Sequence, residues 1–264
     1  MTMPDLAAEA VLIAAGGRAI LLQLADPAIG HGVAKHSDFR SRPLDRLHGT
    51  LTFAYAVAFG TDEDIGKVTR RVNRAHSPVQ HPGGNGSPAY NAFDPQLQLW
   101  VAATLYDSAV TAHRAVFGPM DPGIADELYR EYGRLGHVLQ MTSGLWPEDR
   151  AEFSRYWTER IPQLQTDAVT RAVARQLLYP TSGPLVLRAA MPLARLMTAG
   201  FLPAPVRELF ELRWTVRDQA RFTRVLRLTA IVYPRLPQRV RHWPKDYYLR
   251  ALRRSHEALP MRFG

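Results

Sequence analysis

The chain has 264 residues, 46% of them apolar and 22% charged, and a formal net charge of +9. That length can bury a substantial core, and the balance excludes a disordered chain or a collagen-like repeat. Cysteine is absent, which excludes disulfides, thiolate metal sites, iron–sulfur clusters and cysteine nucleophiles, and fits a reducing, cytoplasmic setting.

The first apolar stretch, LAAEAVLIAAGGRAILLQLADPAIG, is interrupted by Glu9, Arg18 and Asp26, and no basic segment precedes it. It predicts a buried helix followed by a turn rather than a membrane span or a signal peptide. Leu44, Leu47, Leu51, Ala54, Tyr55 and Ala58 mark a helical stripe that ends at Gly60. Thr61 then caps a new helix, with Asp64 near its third position. Asp94–Pro95 and Asp121–Pro122 each set a cap before a proline, starting helices over 95–117 and 122–140. Shorter helices are predicted near 149–160, 165–178 and 184–199. FLPAPVRE opens a long one to about Val232, where YPRLP stops it. Between His76 and Tyr90, SPVQHPGGNGSPA is too rich in glycine and proline to be regular, and it predicts a mobile surface loop able to act as a lid.

No segment alternates as a strand does. The expected fold class is all-α: one helical-bundle domain over 1–264, with a basic C-terminal segment from about 205. From Arg207 to Gly264 there are 14 Lys and Arg against 5 Asp and Glu, so this segment carries the whole net charge. Its simplest reading is a solvated helix face whose arginines lie over apolar surface. No nucleic-acid reading motif accompanies it, so nucleic acid is not expected as a partner; peripheral contact with a membrane stays open.

On the helix opened by Thr61, Ile65, Val68 and Val72 share a face, and four residues further that face meets His76, just before Pro78. An inward imidazole satisfies its nitrogens with a carbonyl and a water, or gives one to a metal. Periodicity leaves both open. No H-E-x-x-H spacing surrounds it, but one histidine suffices for a haem iron, whose porphyrin supplies four nitrogens. On the preceding helix, RLHGTLTFAYAVAFG, Arg46 and Thr50 are four apart and Phe53 and Val57 extend their line. Gly49 sits mid-helix, where it costs about 0.5–1 kcal/mol relative to alanine and suits the close approach of a flat ring or a helix. Taken singly, Arg46 reads better as a surface partner of Asp45 or Asp38, and Thr50 as a hydroxyl bonded back to a carbonyl.

GGRAILLQLADPAIGHGVAKHSDFR, RLHGT, RVNRAHSPVQ, YNAFDPQLQLWVAATLYDS, FGPM and LMTAGFLPAPVRELFELRW follow one another here. In that order they resemble the successive blocks of the family of the oxygenase MpaB and the latex-clearing rubber oxygenases, over about residues 12–255. The resemblance implies an all-α protein that binds haem b through an axial histidine and applies dioxygen to a substrate. It marks His76 as the iron ligand. It maps Arg46 and Thr50 onto the distal Arg-x-x-Lys-Thr motif of the rubber oxygenases, with Gly49 in place of the lysine. Phe53 would join the cofactor's apolar lining, and His36, from AKHSDFR, would act as a distal polar group; its alternative role is to pack a loop against Asp38. Asp26 and Ala102 stand where relatives often carry histidine.

The function implied is a haem-b-dependent oxygenase or oxidase acting on an apolar small molecule, with dioxygen and a redox partner as its other reactants. Its alternatives are a haem protein without turnover, or a haem-less module that works through its basic segment. His31, His81, His113, His137, His242 and His256 are read as loop, helix-surface or tail residues, and Asp107 as the partner of a neighbouring arginine.

Overall fold

The computed structural model describes residues 3–37, 45–84, 86–136, 141 and 144–257. Helices α1 (Met3–Ala7), α2 (Gly16–Leu24) and α3 (Pro27–His36) open the chain, with a 3-10 segment at Ala10–Ala15. Helices α4 (Asp45–Phe59) and α5 (Asp62–His76) lead to a hairpin of β1 (Gln80–His81) and β2 (Tyr90–Asn91). Then follow α6 (Pro95–Phe117), α7 (Pro122–Gly136), α8 (Arg150–Arg160), α9 (Ala168–Leu178) and α10 (Leu185–Phe201). The basic segment holds α11 (Ala204–Leu209), α12 (Val216–Val232), α13 (Gln238–Arg241) and α14 (Trp243–Glu257). The fold is all-α apart from that hairpin.

Capping chemistry sets these boundaries. Thr61 and Asp64 form a reciprocal capping box at the start of α5, satisfying two helix-terminal donors. Asp94 accepts from Gln96 and Leu97 ahead of Pro95, and Asp121 from Gly123 and Ile124 ahead of Pro122. The same aspartate–proline device at Asp26–Pro27 starts α3, a helix that hydrophobic spacing does not reveal.

The core is built on α2 and α6. Leu21, Leu22 and Leu24 of α2 are fully buried with Trp100 and Ala103 of α6, whose indole donates to the Leu22 carbonyl at 3.0 Å. Tyr106, Tyr129, Trp146 and Phe153 close one end of it as an aromatic cluster in which Tyr106 meets the other three edge-on. Burial pushes the Tyr106 phenol up to about 12. Arg18 enters this core charged. It pairs with Asp107 and donates to the Ser108 hydroxyl at 2.7 Å and the Phe201 carbonyl at 2.9 Å, so each guanidinium nitrogen has a protein acceptor. The structural role read for Asp107 holds.

Four expectations need correction. The long helix from FLPAPVRE is two helices: Glu211 turns left-handed at φ 56°, and a Thr215–Asp218 capping box restarts the chain as α12. The 77–90 segment is not irregular throughout but forms the hairpin, with Gln80 opposite Asn91 and His81 opposite Tyr90. Ala54 is exposed, and the buried position beside it is Ala56. His31 and His113 are buried rather than superficial. His113 stacks on Phe117 at 4.9 Å, and His31 joins Asp167 at 2.5 Å and Ser87 at 3.1 Å, strapping the hairpin to α3 and to the start of α9. His137 and Asp38 lie outside the described residues.

Candidate active site

Helices α3, α4, α5, the hairpin and the first half of α6 enclose a cavity of about 590 Å³. From α4 it is lined by the adjacent Gly49 and Thr50 and, one turn further along, by Phe53. From α5 come Val68, Val72 and His76, the stripe that hydrophobic spacing traced to the helix end. His36 enters from the end of α3, Val79 and Tyr90 from the hairpin, and Leu97, Val101 and Leu105 from α6. Five of the site residues read from sequence, His36, Gly49, Thr50, Phe53 and His76, are thus brought to one chamber from three separate helices. The side chain of Arg46 lies outside the described residues. Val57 does not reach the chamber; it packs with Ala56, Val68 and Leu252 instead, because it lies one turn beyond Phe53, where α14 covers α4.

His76 is the last residue of α5, half-buried, with the Phe93 ring edge-on at 6.3 Å. Its carbonyl accepts from Val79 at 2.8 Å, which turns the chain sharply into the hairpin. The carbonyl end of a helix favours positive charge nearby. A built Cβ on Gly49 meets nothing within 4 Å, so the glycine leaves open volume in the chamber rather than admitting a neighbouring helix. His36 is exposed at the rim, where the Tyr90 hydroxyl lies 3.4 Å from its Nε2, a long contact.

The two other departures from the family pattern lie outside the lining. Asp26 caps α3 through Ala28 and Ile29 and pairs with Arg160. Ala102 is buried on α6, in the core. Tyr90, Gln23 and Gln98 line the chamber unforeseen. Tyr90 is carried in by the hairpin, which no period announces. The residues from α3 were signalled by Asp26–Pro27.

Chemically the chamber offers two imidazoles, His76 in the wall and His36 at the rim, the Thr50 and Thr52 hydroxyls of α4, the charged Asp45 and Arg71, and a mostly apolar remainder. Among the described residues no group of three His, Asp or Glu side chains stands together to hold a bare metal ion, and no single helix is long and apolar enough to cross a membrane.

Residues 5–231 match the family described as ER-bound oxygenase mpaB/B'/rubber oxygenase, catalytic domain. An uncharacterized protein of Mycobacterium bovis is 35% identical over 236 residues, covering 87% of this chain and 92% of the relative. One of Mycobacterium tuberculosis is similar to the same extent. No solved structure matches the chain.

Proposed function

This chain belongs to the mpaB/B' and rubber oxygenase family of oxygenase catalytic domains, and on that ground we propose that it is a haem-b-dependent oxygenase or oxidase that uses dioxygen on an apolar small molecule. The observation that carries the reading is the meeting of His76 with Gly49, Thr50 and Phe53 around one chamber.

The residues fit such a group. The chamber's volume lies within the roughly 300–1,000 Å³ typical of cofactor and ligand sites. Gly49 leaves room on the α4 wall that any larger residue would fill. One imidazole ligand suffices for an iron whose remaining donors come from a macrocycle, and His76 is the half-buried histidine of the chamber, His36 being exposed. His76 would hold the iron, and Phe53, Val68 and Val72 would pack against the ring. When bound, haem supplies the redox chemistry with dioxygen. The chain's part is to hold the metal through His76 at a helix end that favours its positive charge. Thr50 presents a hydroxyl, and Arg46 would add a guanidinium one turn away, as preorganised donors toward the oxidant. The mostly apolar walls favour an apolar substrate. His36 stands exposed at the rim, with the buried Tyr90 behind it. A cytoplasmic setting with a redox partner completes the reading.

The test is direct. Protein made with a haem precursor is expected to show a Soret band, and His76→Ala to lose it while its far-UV circular dichroism stays unchanged. Colourless wild-type protein after haem feeding, or full haem content in His76→Ala, overturns the proposal.

A further inference from the structure

Far along the chain, α10 and α12 present a surface unlike that of an ordinary soluble helix pair. The first half of α10 is exposed on nearly every side: Leu185 and Val186 are 78% and 81% exposed, and Leu193 is 52%. Its second half is buried against α12, where Phe201 meets Phe222 edge-on at 5.2 Å and Leu196 and Met197 share a cluster with Val225 and Leu226. The last turns of α12 in turn expose Leu228, Ile231 and Val232. Single exposed apolar residues are ordinary, but six large ones on two helices packed together mark an interaction surface.

The charge around them is predominantly basic, Asp218 in the capping box being the one carboxylate on α12. Arg217, Arg221, Arg224 and Arg227 are all exposed on α12. From Ala168 to Arg207 the sequence has no Asp or Glu, and from Gln219 to Lys245 it again has none while carrying seven Lys and Arg. We propose that this face docks on an anionic lipid surface. The leucines, isoleucine and valines enter the interface, and the arginines lie at the level of the lipid phosphates with their stems along the apolar surface. Charge complementarity selects this occupant. A second copy of the chain on a twofold axis would set arginine against arginine, whereas anionic headgroups neutralise them. The contact is peripheral, since α10 is a 17-residue helix, too short to span a bilayer core, which takes about 20 residues.

Sedimentation with vesicles tests it, using the full chain. Wild type is expected to pellet with vesicles of equimolar phosphatidylcholine and phosphatidylglycerol, to be released by salt, and to stay in solution with phosphatidylcholine alone. R221Q with R224Q is expected to weaken binding on the order of thirtyfold, from the attraction each basic residue contributes at an anionic surface. L228E with I231E is expected to abolish it. All of these positions are exposed, so the thermal melts of both variants should match wild type. No pelleting with anionic vesicles overturns the proposal. So does pelleting that neither variant changes, or a sedimenting dimer that L228E with I231E dissociates.

Discussion

Two glycines show how one residue type serves opposite ends. Gly49 faces open chamber, with no atom within 4 Å of a built Cβ. Gly200 sits where α10 meets α12, and its Cβ would lie 2.4 Å from the Phe222 ring. Gly49→Ala should therefore raise stability by about 0.5–1 kcal/mol, the helix-propensity gain. Gly200→Ala should lower it by about 1–3 kcal/mol through overpacking. Urea titrations of the two variants check both signs, and equal effects would refute the distinction. Sequence marks Gly49 only as an anomaly inside a helix; what fills the space opposite depends on α3 and α5. His76 is the counter-case. Its inward direction follows from three apolar residues on its own helix, because a helical period carries direction as well as identity. His31 shows the limit of that logic: its partners Asp167 and Ser87 are 136 and 56 residues away.

Among the helices, the boundaries legible in the sequence were those with local chemistry. Asp94–Pro95 and Thr61 with Asp64 set helix starts that the structure keeps. The break between α11 and α12 was signalled by the same chemistry in T-V-R-D, but the apolar run across it reads as continuous. Thr215 accepts from the Asp218 amide at 3.2 Å while Asp218 accepts from Thr215. Thr215→Ala should cost about 1 kcal/mol, visible as a melting temperature lowered by about 2–4 °C; an unchanged melt would mean that packing alone starts α12. The hairpin had no such signal. Its strands are two residues each, too short for alternation to register, and the strap from Ser87 through His31 to Asp167 is a long-range contact.

Across the fold, two carboxylates join distant segments and set its response to acid. Asp64 ties α5 to Arg253 of α14, and Asp167 ties α9 to His31 of α3. Burial works to raise both. At Asp167 it is outweighed by hydrogen bonds from Thr170 and His31, which bring the carboxyl to about 2; at Asp64 the Thr61 bonds and Arg253 likewise lower it. A carboxyl held below its unfolded value of about 3.9 contributes stability in full above that pH and loses it as pH falls through the folded value. Stability should thus drop between about pH 4 and pH 2, and Asp64→Asn with Asp167→Asn should flatten that part of the profile in melts across the range. A profile as steep as wild type would place the acid response elsewhere. Composition and period settled that the chain is helical, where most helices begin, and that His76 turns inward, because caps and amphipathic faces are written within a few residues. Which helices enclose the chamber, what His31 and Arg18 bind, and which apolar side chains of α10 and α12 stay uncovered were settled by packing, because those contacts join residues tens to hundreds of positions apart and a local pattern carries no record of its distant partner.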